Sequence, residues 1–68
     1  MNAVATEPAY TTPDGGAVYL EPLEPLRGIG FYHVRLYDDD GVLVAEFPSM
    51  GEGHIASMAA RLCWKLVP

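Results

Sequence analysis

The stretch Gly30–Phe47, GFYHVRLYDDDGVLVAEF, decides how this chain folds. Two runs rich in β-branched and aromatic residues flank Asp40-Gly41, a dipeptide favoured in two-residue type I′ turns because both central positions need positive φ. Centring the turn there sets Asp39 opposite Val42, Tyr37 opposite Val44 and Arg35 opposite Glu46. The other face then collects Tyr32, Val34, Leu36, Leu43, Ala45 and Phe47. One side is apolar and the other pairs opposite charges, as in a hairpin with one face on a core. A slip of one residue sets Glu46 opposite Val34 and destroys that segregation.

Outward from the hairpin, Pro48 is expected to end the second strand, and Ser49 with Glu52 matches a capping box for a helix. Gly51 and Gly53 weaken its first turn, so regular helix is expected from about His54. At 100° per residue, Ile55, Met58, Ala59, Leu62 and Leu66 form one stripe with Cys63 at its margin. On that helix Trp64 falls about 180° from Ile55, among Ser57, Ala60 and Arg61. Such an indole either folds under the N-terminal arm or the EPLEPL loop, or forms a contact surface with Arg61 and Lys65.

On the N-terminal side, Ala17–Leu23, AVYLEPL, reads as an edge strand, because Pro22 and Pro25 lack a ladder N–H. Residues 1–15 hold two prolines, three threonines and, with Gly16 added, two glycines, without periodicity, and read as an extended or mobile arm. The expected fold class is therefore α+β: residues 16–68 as one small domain, a three-stranded antiparallel sheet with one C-terminal helix packed across one face.

Composition narrows the function. At 68 residues the chain carries at most one thin core, which oligomerisation or a partner commonly supplements. Nine acidic and four basic residues give a formal charge of −5, so a grip on nucleic-acid phosphates is not expected and a protein with a basic surface is the better match. Cys63 is the only cysteine, the N-terminal residues do not read as a signal peptide, and no apolar run is long enough to span a bilayer, so a cytoplasmic location is expected.

Few residues suggest chemistry. GEGHIAS, 51–57, has glycines but lacks the Lys-Ser/Thr of a P-loop. His33, His54 and Cys63 have no metal-ligand spacing, and Cys63 reads as a small buried hydrophobe. Asp38, Asp39 and Asp40 supply turn chemistry and solubility, or an acidic knob for a partner's Lys and Arg, to which Asp14, Glu21 and Glu24 add if they share its side. No catalytic set, metal or cofactor is expected. The candidate partner-binding residues are Asp38, Asp39, Asp40 and Glu46 for charge, and Arg61, Trp64 and Lys65 for a helix face.

With this layout, residues 30–66 resemble the strand–turn–strand–helix unit of small phage anti-CRISPR proteins: a Tyr-x-Val strand, an Asp-Gly turn, a Val-rich strand, a glycine-bearing connection and an Ala/Met-rich helix. That resemblance implies a non-catalytic inhibitor that occupies the basic nucleic-acid channel of a CRISPR effector complex or wedges between its subunits, working in the host cytoplasm. DDDGVLVAEFP, 38–48, is also similar to the N-terminal part of HicB-type antitoxins, with GEGHIAS in place of their usual Gly-Asp-Thr. The alternative function is thus antitoxin-like or a small structural homodimer with Trp64 at its twofold axis.

Overall fold

The computed structural model describes residues 7–23 and 30–68. The chain runs β1 (Tyr10–Thr11), β2 (Ala17–Pro22), β3 (Phe31–Tyr37), β4 (Leu43–Gly51), α1 (Glu52–Arg61) and β5 (Lys65–Leu66). The α+β class with one helix and an antiparallel sheet holds. The sheet, however, has five strands in the order β4-β3-β2-β1-β5, not three. The two extra strands are only two residues long, too short for an alternating pattern to register in sequence.

Residues 9–11, part of the expected arm, run through the sheet: Tyr10 pairs Val18 on one side and Leu66 on the other. Further bonds from Ala9 N–H to the Val18 carbonyl and from Val67 N–H to the Ala9 carbonyl extend this ladder. β2 is consequently an interior strand, contrary to its expected edge position, and Pro22 stands opposite Tyr32 at its end. Pro25 and the rest of 24–29, together with 1–6, lie outside the described residues.

The β3–β4 hairpin forms, with Arg35 opposite Glu46 as expected. Its turn differs. Gly41 N–H bonds the Asp38 carbonyl, Asp38 N–H bonds the Val42 carbonyl, and Gly41 has φ 82° while Asp40 is not left-handed. This is a three-residue loop closed by a glycine bulge rather than a type I′ turn. One residue is thereby inserted, so Tyr37 faces Leu43 instead of Val44, and Leu43 comes to the open side of the sheet. A second register shift lies between Tyr32 and Val34, opposite Pro48 and Ser49. Pro48, which has no N–H, therefore sits at a bulge and β4 continues to Gly51 rather than ending there.

Alternation along the strands, reset in β4 by the bulge at Pro48 and Ser49, points Val18, Leu20, Val34, Leu36, Phe47 and Met50 to one face, where Ile55, Met58 and Ala59 of α1 cover them. Val18 and Val34 have no exposed surface, and Ile55 retains 2%. The helix begins at Glu52 with Gly51 as its N-cap and no side-chain cap, so the Ser49–Glu52 box is not formed. Ser49 belongs to β4 and is not placed to cap.

The helix also stops earlier than its apolar stripe suggests. Leu62 is the C-cap, Cys63 N–H bonds the Ala60 carbonyl, and Trp64 N–H bonds the Ala59 carbonyl at 2.9 Å. This double closure is a Schellman motif, with Cys63 at φ 61° in the left-handed position usually given to glycine. The chain turns back into β5, so Leu62 and Leu66 leave the stripe and are exposed at 48% and 73%. Cys63 is likewise exposed, not buried.

Candidate functional site

The open face of the sheet carries the polar chemistry. Cross-strand registry sets Tyr19 opposite Arg35 and Glu21 opposite His33, while Ala17 stands opposite Tyr37. Arg35 Nη1 lies 2.9 Å from Glu21 Oε1, and its Nε lies 3.5 Å from Glu46 Oε2. The Glu21 carboxylate, as hydrogen-bond acceptor, holds the Arg35 guanidinium above its ordinary pKa. His33 Nε2 is 2.7 Å from Glu46 Oε2. These groups are each about a quarter to two-fifths exposed, so solvent screens every pair and none is a main source of stability. Their arrangement matters more: Glu46 is bound into the sheet's own charge network, which the sequence pairing with Arg35 anticipates.

Beside this network, Tyr19 and Tyr37 meet edge to face, ring centroids 5.4 Å apart at 85°. They are diagonal neighbours on adjacent strands, a separation that rings span. Together with Gly15, Gly16, Glu21, Arg35, Asp38, Asp39 and Gly41 they line an open cleft of about 500 Å³. Sequence reasoning missed this cleft and both tyrosines. Their signal was available as period-two spacing in AVYLE and VRLYD, where Tyr19 and Tyr37 share a face with Glu21 and Arg35.

Two turns of one design close the cleft's end. In the β1–β2 connection, Gly15 N–H bonds the Thr12 carbonyl, Thr12 N–H bonds the Gly16 carbonyl, and Gly15 has φ 92°. That repeats the Asp38–Val42 pattern. Pro13-Asp14-Gly15 is the turn signature that marks it, hidden in sequence because β1 is so short. Each loop is braced by the side chain at its first position. Thr12 Oγ1 accepts from Gly16 N–H at 2.8 Å and donates to Asp14 Oδ1, while Asp38 Oδ1 accepts from the Asp40 and Val42 N–H groups at 2.9 Å. The Thr12 bond holds the Asp14 carboxyl below its usual range.

The tips touch. A Cβ on Gly15 would lie 3.3 Å from Asp39 Cβ, and one on Gly16 would lie 3.3 Å from Asp38 Cα. Asp14, Asp38, Asp39 and Asp40 thus gather at one end of the molecule, with Glu21 on the adjoining cleft wall. Glu24 lies outside the described residues. Side-chain oxygens of Asp38, Asp39 and Asp40 lie within 4.8 Å of one another. Asp38 Oδ1 is already committed to two backbone donors, and three carboxylates, two of them exposed, fall short of the six to eight oxygens a calcium ion takes.

The remaining candidates do not form one helical face. Arg61 is the last residue of α1 and is exposed. Trp64 lies beyond the helix and is half-buried, its ring 5.7 Å from Tyr10 and packed on the core, so the indole does lie under the N-terminal segment. Lys65 is exposed in β5, opposite Thr11, and lines a shallow hollow with Thr12, Pro13 and Cys63. Among the described residues no helix is long and apolar enough to cross a membrane.

The fold and site define a small α+β unit whose helix covers one sheet face and whose other face ends in paired acidic turns. No family model matches the chain, and no curated protein or solved structure matches it either.

Proposed function

We propose that this protein is a non-catalytic interaction module that inhibits a nucleic-acid-handling complex by occupying one of its basic surfaces. The observation that carries this reading is the convergence of the two turns, which collects Asp14, Asp38, Asp39 and Asp40 at one end. The opposing charge nearby, on Arg35, is already matched by Glu21 and Glu46. A compact negative end whose neighbouring guanidinium is internally matched is attracted to surfaces built for phosphates, and its on-rate falls with salt. The resemblance of residues 30–66 to the strand–turn–strand–helix unit of anti-CRISPR inhibitors makes a type I CRISPR effector complex the first candidate partner. The test is binding of the purified chain to that complex. Reversing Asp39 and Asp40 to lysine is expected to abolish association that in the unaltered protein weakens with added salt. Binding that ignores both salt and reversal overturns the proposal.

A second reading, a homodimer, is favoured by β4, an edge strand with apolar exposure at Leu43 and Val44 and at Val42 just before it. Paired edges would bury these side chains. Light scattering separates the two: a monomer at working concentration supports the heterotypic inhibitor, a stable dimer the homodimer.

A further inference from the structure

We propose that the cleft between the two acidic turns is an anchor site for an arginine side chain of a protein partner. The inference rests on the interaction function proposed above and names the group recognised.

The cleft combines three features. Its wall carries an aromatic pair, Tyr19 and Tyr37, set edge to face, and both rings line the cleft. Its rim carries three carboxylates, on Glu21, Asp38 and Asp39, against one guanidinium, that of Arg35. Its end is formed by Gly15, Gly16 and Gly41, and at Gly41 the space that a side chain would take is open.

Charge complementarity selects a cation. Arg35 is held within the sheet by Glu21 at 2.9 Å and Glu46 at 3.5 Å, so it does not cancel Asp38 and Asp39. Asp39 is exposed, and Asp38 has one carboxylate oxygen besides that bonded to the backbone. A cation entering between tyrosines and carboxylates gains attraction from the ring quadrupole and from the acids together.

Shape selects guanidinium over ammonium. A planar fork lies against a tyrosine ring while its edge donates two hydrogen bonds to a carboxylate, which a point-charge ammonium does not do. At about 500 Å³ the cleft exceeds one side chain and admits part of the partner's backbone.

The test uses three blocked pentapeptides, Gly-Gly-X-Gly-Gly, with X arginine, lysine or the isosteric, uncharged citrulline, titrated into the 15N-labelled full chain. The arginine peptide is expected to shift amides of Gly15, Gly16, Tyr37, Asp38 and Asp39, and to bind roughly tenfold more tightly than citrulline, the scale of one cation–π contact aided by a carboxylate. Tyr19→Leu, folded by its amide spectrum, and Asp39→Asn are each expected to reduce that preference severalfold. Equal binding of citrulline, or a lysine peptide that matches arginine, overturns the assignment. So does an unaltered preference in Tyr19→Leu. Absence of any arginine preference in the unaltered chain, with intact charge-reversal sensitivity toward the effector, sinks the anchor alone. A working anchor without effector binding sinks the inhibitor reading alone.

Discussion

Cys63 pays for the end of the helix in conformational strain. Its left-handed φ of 61° costs a non-glycine residue about 1–2 kcal/mol, offset in part because glycine is freer when unfolded. Since its side chain is exposed, Cys63→Gly is expected to stabilise the protein by about 0.5–1 kcal/mol in urea unfolding. Gly16 is the opposite case. A methyl group there would lie 2.2 Å from the Tyr37 carbonyl oxygen, which cannot yield without moving β3. Gly16→Ala is expected to cost about 3 kcal/mol, the upper end for overpacking. Gly41→Ala, with φ 82° and open space around it, is expected to cost only about 1 kcal/mol of backbone strain. Asp14 sets a pH dependence. Its folded pKa is lowered, chiefly by the Thr12 hydroxyl, so its contribution is complete above its unfolded pKa and lost as pH falls through the folded value. Acid unfolding of Asp14→Asn is therefore expected to show less loss of stability in that window than the parent protein.

At the scale of elements, β1 and β5 depend on one another. Each is two residues long, and β1 fills the gap between β2 and β5. The contact that compensates for such short ladders is the Tyr10–Trp64 ring pair. Trp64→Ala is expected to destabilise by about 2–3 kcal/mol, less than truncating a fully buried tryptophan, because the indole is only half-buried. A double-mutant cycle with Tyr10→Ala should return a coupling of about 0.5–1.5 kcal/mol. Coupling near zero would mean that the rings touch without contributing. The β3–β4 hairpin was legible from alternation because both strands are long enough to show it. The β1–β2 hairpin was not, although its Pro-Asp-Gly turn stood in plain view, since two residues of strand carry no period.

At the scale of the molecule, five buried apolar side chains among the described residues make a thin core. A domain this small typically has only about 3–5 kcal/mol of stability from its core. Binding therefore shows strongly in melting: a partner at one hundred times its Kd adds about 2.7 kcal/mol and should raise Tm by roughly 10–20 °C. Differential scanning fluorimetry with and without the effector measures it. The charge-reversed Asp39→Lys, Asp40→Lys protein is expected to lose that shift while keeping its own Tm within a few degrees, because both carboxylates are exposed.

Alternation alone determined the sided hairpin, the Arg35–Glu46 pairing and the helix that covers Val34, since these follow from periods of two and 3.6 within continuous segments. Only the tertiary structure decided that the arm enters the sheet, that Trp64 turns inward onto Tyr10 and that two distant aspartate turns meet around Tyr19 and Tyr37. Those features join residues up to fifty-odd positions apart through ladders too short to leave a local pattern, so they arise from packing and not from any window of sequence.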